Sequence, residues 1–321
     1  MVSRHHLIAW SHTPLAEVVA IADPQPERLC ATADEWCIPV TGASLDEILS
    51  RSDVDVIDIA TPVATHGTLV REAAQHGLNV ICQKPLAPTI AEAEAILASV
   101  SGRIRLVVHE NWRYRAPYRQ ISAWLRDGRI GRVAQFALTY YGSGHVAPAG
   151  SKPPALVRQP FMADLERLLV FETLIHHLDV LWYLFGPLTL HAARLSRVSP
   201  SVRGEDGASL LLTAGQGHGT VSATTSAPVA GATAADSLLI VGTAGAISVE
   251  GHAIQLAQTD GFRERIEFER AEVYQGSYNA AVAHYASCLA EDRPFESPPE
   301  EHLEILRLAE AVYAAAGVLQ A

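Results

Sequence analysis

Few cysteines, no cationic run and no long apolar stretch bound what this chain can be. The 321 residues hold four cysteines, Cys30, Cys37, Cys82 and Cys288. None forms a Cys-x-x-Cys pair and their spacing matches no zinc motif, so no metal centre is expected and the thiols are read as reduced packing residues. No dense Lys/Arg run appears, and 35 acids outweigh 24 bases to give a net charge of -11. That balance argues against a nucleic-acid surface and is compatible with a small-molecule substrate. The opening MVSRHHLIAW carries charge and imidazole where a signal peptide needs an apolar core. No apolar run approaches membrane-spanning length. These absences point to a cytoplasmic protein with no membrane partner. Internal repeats and low-complexity tracts are also missing.

What is present is ordinary globular composition, 49% hydrophobic and 18% charged, in a chain long enough for two domains. The first third alternates strand and helix signals. AEVVAIAD, VDVIDIATP, LNVICQKP and IRLVVHEN are short apolar strands. Between them, PERLCATADEW, ATHGTLVREAAQHG and TIAEAEAILASVSG are helical, and TGASLDEIL is a short helix with Ser44 as N-cap and Glu47 three residues on. Near-continuous apolar strands alternating with helices indicate a parallel sheet covered on both faces. After PYRQISAWLRDGRIG the strand signals lengthen and alternate, in VAQFALTYYG, LHAARLSRV, GASLLLTAG, GHGTVSATTS, SLLIVGT, GAISVEG and RIEFER. Gly-rich turns divide them, as in hairpins. The fold class is therefore α/β, a Rossmann-type parallel sheet domain plus an α+β domain with an open, mainly antiparallel sheet. The boundaries expected are 1–112 and 113–321, with helices over about 278–290 and 300–316, the last able to pack back on the first domain.

The stretch FETLIHHLDVLWYLFG puts two acids and two histidines inside a greasy run. Such groups are costly to bury unless paired. On a helix at about 100° per residue, Glu172, His176, Asp179 and Tyr183 share one stripe, while His177 points elsewhere with Val180 and Leu184. Adjacent histidines do not suit zinc, which takes helical pairs such as i, i+4. A hydrogen-bonded structural network and a proton-transfer site both remain open. A carboxylate one turn before a histidine can fix its tautomer and stabilise its charged form.

A second constellation lies where NVICQKP ends a buried strand with Lys84 and Pro85. Parallel sheets bind ligands at that edge. Upstream, IATPVATHGTLV has a strand, a Thr-Pro turn and His66 near a helix start, where backbone N–H groups can meet a ligand. Asp23 ends the first readable strand, where an acid can bond both ribose hydroxyls of NAD. The lesser alternative is a turn residue before Pro24.

Together these motifs resemble the glucose–fructose oxidoreductase/inositol dehydrogenase family, Gfo/Idh/MocA, over nearly the whole chain. The matching segments are VVAIADPQPER, Ala60, Thr61 and Pro62 with His66, then Gln83-Lys84-Pro85, and Glu172, His176 and Asp179 before the aromatic-Leu-Phe-Gly ending. The resemblance implies hydride transfer between a nicotinamide and a hydroxyl-bearing carbon of a sugar, polyol or sugar derivative. His176 would be the acid/base and Lys84 would hydrogen-bond the same oxygen. Glu172 stands where the family has an aspartate, and Gln83 where it has a glutamate. NAD is the expected cofactor, with NADP left open because Arg28 lies close to Asp23. Ser3, Arg4, Asp23, Arg28, Ala60, Thr61, Pro62, His66, Gln83 and Lys84 would contact it. Asn111, Trp112, Arg113, Tyr114, Arg158 and Asp179 would line the sugar site, where flat faces and donors suit a polyhydroxylated ligand. The ENWRY and RQPF segments resemble those of apiose dehydrogenase-like members. A homodimer or homotetramer is expected, because an exposed sheet face needs covering. An NAD-dependent glycosidase or epimerase of the same family, or a cofactor-binding regulator, are the alternatives.

The family's opening strand and Gly-x-Gly turn are not found before MVSRHH. The expectation is that Met1 is an internal methionine, that roughly ten residues precede it in the full protein, and that Ser3 takes the place of the third glycine. Ser3, Arg4 and the helix N-terminus would otherwise hold the pyrophosphate alone.

Overall fold

The computed structural model describes residues 2–147, 150–228 and 235–317. It divides into two compact units, one of Met1–Tyr114 with Tyr274–Leu306, the other of Arg115–Val273 with Arg307–Ala321.

The first unit runs α1 (Val2–Ser11), β1 (Ala20–Ala22), α2 (Pro26–Trp36), β2 (Val40–Gly42), α3 (Leu45–Leu49), β3 (Val56–Ile59), α4 (Val63–Gln75), β4 (Asn79–Gln83), α5 (Ile90–Val100) and β5 (Leu106–His109). Its strands are all parallel, as the apolar runs predict. They form two separate pieces, β1–β2 and β3–β4–β5. The helix starts follow local chemistry. Ser44 accepts the Glu47 N–H at 3.3 Å, and the Glu47 carboxylate returns to the Ala43 N–H at 2.9 Å. Ser44 is thus the N-cap expected from Ser-x-x-Glu, while the Glu47 carboxylate reaches one residue further back than the reciprocal bond of a capping box. Thr89 caps α5 in the same way through the Glu92 N–H. Around β4 and β5, Ile81, Val107, Tyr114, Ala281 and Tyr285 make one apolar cluster, with Ile81 and Tyr285 wholly buried.

The second unit holds α6 (Ala116–Arg126), β6 (Val133–Tyr141), α7 (Pro154–Arg158), a π-helical turn over Leu169–Leu174, α8 (Ile175–Phe185) and strands β7 (Leu188–Ser196), β8 (Gly207–Ala214), β9 (Gly217–Thr224), β10 (Ala235–Gly242), β11 (Gly245–Glu250), β12 (Ala253–Gln258) and β13 (Arg263–Glu267). The eight strands form one sheet in the order β13-β12-β11-β10-β6-β9-β8-β7. Every neighbouring pair is antiparallel except β6 with β9, which is parallel. One face is apolar and buried, with Phe136, Leu138, Leu210, Leu212, Val221, Leu238 and Ile240 all at 3% exposure or less. The other carries Leu211, Leu239 and Val241 at 36–43% exposure.

Several elements differ from the sequence expectation, among them the short β2 and α7, which are not read from the sequence. β12 is a strand that the alternation in AIQLAQ is too short to announce. The helix α9 (Arg270–Ala290) starts eight residues before 278, running through Gly276, whose missing side chain meets nothing within 4 Å. FETLIHHLDVLWYLF is not one uniform helix, because its first turn is π-helical. The last helix, α10, covers Pro299–Ala315.

Candidate functional site

In the first unit several of the residues expected at a dinucleotide stand at or just after strand ends. Asp23 follows β1. Its carboxylate accepts the Gln25 N–H at 2.8 Å and lies 3.4 Å from the Arg28 guanidinium. That contact leaves Arg28 engaged with the acid beside it. Ala60, Thr61 and Pro62 form the turn after β3, with the Thr61 and Thr65 hydroxyls 2.7 Å apart. Pro62 is the residue before α4, so the first-turn N–H groups of that helix face the same edge. Ser3 and Arg4 are on the exposed first turn of α1, and Arg4 pairs with Glu35 at 2.7 Å. A carboxylate after the first strand, a Thr-Pro turn after the third and Lys84 after the fourth fit the ribose and ring ends of a dinucleotide at the carboxyl edge of a parallel sheet.

His66 is placed differently from a surface ligand. It is 1% exposed, and its ring nitrogens lie 2.9 Å from the carbonyls of Thr61 and Pro85. It ties together the two turns that carry Thr61 and Lys84. Burial pulls its imidazole below the usual histidine value, with the carbonyls of Thr61, Pro85 and Leu86 working against that. The Leu86 N–H donates to His302, so the stretch after Lys84 is held from a second direction.

Gln83 is buried at the end of β4 among polar groups. Its amide nitrogen is 2.8 Å from His6 Nε2 and 3.3 Å from His109 Nδ1, and its amide oxygen accepts the Lys84 N–H at 3.1 Å. After β5, Asn111, Arg113 and Tyr114 are core residues at 2–4% exposure. Asn111 donates to Ser277 at 2.7 Å and Arg113 to Glu301 at 2.5 Å. Trp112 is half-buried between them, its N–H on Glu110.

In the second unit the π-turn carries Glu172, and α8 carries His176, His177 and Asp179. Glu172 and His176 are half-buried, while Asp179 and His177 are buried. The wider π-turn takes Glu172 off the straight helical stripe that simple periodicity draws. The turn is itself capped by an acid. Glu205 accepts the N–H groups of Leu168 and Val170 at 3.2 and 3.0 Å, and the Tyr313 hydroxyl at 2.6 Å. A carboxylate at a helical N-terminus satisfies donors that otherwise have no partner. Burial and the Glu205 charge push the Tyr313 hydroxyl well above the usual tyrosine value. Arg158 ends α7 and is exposed.

His177 donates from Nε2 to Asp236 at 2.9 Å, and Arg115 meets the other oxygen of that carboxylate at 3.0 Å. The Tyr140 ring packs on His177 at 5.0 Å. Burial alone would raise the Asp236 carboxyl, but His177 and then Arg115 outweigh it and hold it below the usual aspartate value. Neither this anchor nor the Glu205 cap has a local sequence signal, because the partners lie far apart in the chain. Among the described residues no three or more His, Cys, Asp or Glu side chains are placed so as to hold a metal ion, and no helix is long and apolar enough to cross a membrane.

Known proteins resemble both units. Residues 1–109 match the oxidoreductase family with an NAD-binding Rossmann fold, and residues 118–248 match the GFO/IDH/MocA C-terminal domain. The D-apiose dehydrogenase of Paraburkholderia graminis is 38% identical over 212 residues, 66% of this chain and 54% of that protein. The D-apiose dehydrogenase of Rhizobium rhizogenes is 33% identical over 205 residues, 64% of this chain and 57% of that protein. The chain thus spans little more than half the length of these relatives. A solved oxidoreductase from Agrobacterium radiobacter, in complex with NAD+, L-tartaric acid and magnesium, superposes with a TM-score of 0.88 at 26% identity. That likeness covers 98% of this chain and 93% of the other.

Proposed function

The chain belongs to the Gfo/Idh/MocA oxidoreductase family, and we propose that it is an NAD-dependent sugar dehydrogenase acting on D-apiose or a closely similar sugar. Two D-apiose dehydrogenases are among its curated relatives, and this is the observation that carries the substrate assignment. NAD, when bound, supplies the hydride acceptor. The chain's own residues then have separate tasks. His176 takes the hydroxyl proton as the carbon that loses hydride becomes a carbonyl. Lys84 donates to the oxygen on which negative charge develops. Glu172 orients His176 from the π-turn that precedes α8, and Asp179 supplies a buried carboxylate one turn after.

Asp23 selects NAD by accepting from the ribose hydroxyls and repelling a 2′-phosphate. Arg28 steadies Asp23, while Ala60, Thr61 and Pro62 pack beside the nicotinamide end. His66 and Gln83 act by holding those turns, and Ser3 and Arg4 sit at the phosphate end of the site. Trp112 and Arg158 contact the sugar. Asn111, Arg113 and Tyr114 contribute through the buried contacts that fix the segment after β5.

A second copy of the chain covers the outer sheet face, where Tyr141, Leu211, Leu239 and Val241 are 36–46% exposed. Four free cysteines suit a reducing cytoplasm. The test is a panel of sugars and polyols with NAD and NADP. Accumulation of NADH in the steady state identifies a dehydrogenase. Sugar conversion without net NADH identifies the glycosidase or epimerase chemistry of the same family, and binding without conversion identifies a regulator.

A further inference from the structure

The polar groups behind Lys84 form a directed chain within the first unit. Its orientation is set by one group that cannot be reversed. The Lys84 backbone N–H can only donate, so the atom 3.1 Å from it is the Gln83 amide oxygen. The amide nitrogen must then face the other way, towards His6 Nε2 at 2.8 Å and His109 Nδ1 at 3.3 Å. An amide NH2 can only donate, so His6 Nε2, the nearer of the two nitrogens, accepts from it. A neutral His6 that accepts at Nε2 carries its proton on Nδ1. That nitrogen lies 3.0 and 2.8 Å from the two carboxylate oxygens of Asp58, to which Trp10 Nε1 also donates at 2.7 Å. The two imidazoles pack against each other, with centroids 4.2 Å apart, and Tyr278 stacks on His109.

We infer that Gln83 is a positioning residue that couples Asp58 to the backbone of Lys84, and that it does so by fixing His6 as the Nδ1–H tautomer. Every donor points the same way, from Lys84 N–H to Gln83, from Gln83 to His6 and from His6 to Asp58. In such a chain each bond polarises the next. The Asp58 charge makes His6 Nε2 a better acceptor, which draws on the Gln83 amide and makes its oxygen a better acceptor for Lys84 N–H. The network spans α1, β3, β4 and β5, so it fixes where β4 delivers Lys84. It also accounts for an amide at position 83. A glutamate there would present only acceptors to both histidines, and each would have to turn a proton towards it. The catalytic importance of the coupling rests on the role proposed for Lys84, but the tautomers and the coupling do not.

The chain has two lysines, Lys84 and Lys152. Labelling the full chain with 15N-lysine therefore gives two backbone amide signals, and Lys152→Arg assigns them. The expected result is a hydrogen-bonded Lys84 amide that shifts upfield in Gln83→Met and exchanges roughly tenfold faster there, the scale of one net hydrogen bond. A smaller upfield shift is expected in Asp58→Asn. In 15N-histidine spectra of the unsubstituted chain, His6, assigned by His6→Gln, should show a protonated Nδ1 and a bare Nε2. In Gln83→Glu the proton should appear on His6 Nε2. An unmoved Lys84 amide in folded Gln83→Met, or an Nε2 proton on His6 in the unsubstituted chain, overturns the proposal. The second measurement needs no substitution at Asp58 or Gln83, so it decides even if those variants do not fold. Neither readout depends on turnover, so a failure to find a sugar substrate leaves the result intact.

Discussion

His177 Nε2 lies 2.9 Å from Asp236, joining the start of α8 to the first residues of β10 across 59 positions of sequence. The neighbouring histidine, His176, is the one proposed as the acid/base. His177 instead anchors the helix that presents it. Asp236 is held from both sides, by His177 and by Arg115. Asp236→Asn should therefore cost about 3 kcal/mol, because removing one member leaves charged or polar partners buried without their acceptor. Its depressed carboxyl sets the pH dependence. The stabilisation is present above the unfolded aspartate value of about 3.9 and is lost as pH falls through the lower folded value. Denaturant titrations at pH 7 and near pH 3 measure both effects. A cost at pH 7 no larger than that of an exposed Asp→Asn change would show that the anchor contributes nothing.

Near neutral pH the buried histidines control stability. Burial depresses His66, so the unfolded chain binds a proton at a higher pH than the folded one. His66 therefore contributes stability fully above about 6.5, and that stability falls as the pH drops from there towards the folded value. His145 behaves alike, depressed by burial against the pull of Asp206. Melting temperatures from pH 8 to pH 5 should decline, and His66→Gln should flatten part of the slope. An unchanged slope would mean that His66 is not buried as described.

Lys84→Ala and His176→Ala should each lower turnover at least about a hundredfold, the scale of lost acid–base or oxyanion assistance. His177→Ala should lower stability more than it lowers the chemical step. Single-turnover kinetics on the three variants separate these outcomes. A larger chemical defect at His177 than at His176 would transfer the acid/base role to the buried histidine.

Asp23→Ala should weaken NAD binding roughly tenfold, the scale of a hydrogen bond to a charged group, and improve the relative use of NADP. Titration calorimetry with both cofactors reads this directly. Equal loss for both would leave Asp23 as a turn residue serving the Gln25 N–H.

The main features of this arrangement were legible in the sequence because they are local. Apolar runs of strand length between helices announce β1, β3, β4 and β5, though not the three-residue β2, and Lys84 at the end of NVICQKP needs only that strand to be located. Glu172, His176 and Asp179 are visible as polar residues in an apolar run. Local periodicity cannot show the π-turn, since a single wider turn leaves no repeat to detect. It also cannot show that Asn111, Arg113 and Tyr114 point into the core. Their partners Ser277, Glu301 and Tyr285 arrive from α9 and α10, far along the chain. Asp58 is the clearest case. In VDVIDIATP it looks like a stray acid in a strand, and only folding brings His6 and Trp10 of α1 to it.

The most direct test follows nicotinamide absorbance when the full chain is mixed with NAD and D-apiose, beside the Lys84→Ala variant. NADH should accumulate with multiple turnovers in the unsubstituted protein, and the variant should be slower by about a hundredfold or more. No NADH from D-apiose or any sugar of the panel, despite bound NAD, or equal rates in the two proteins, would contradict the account.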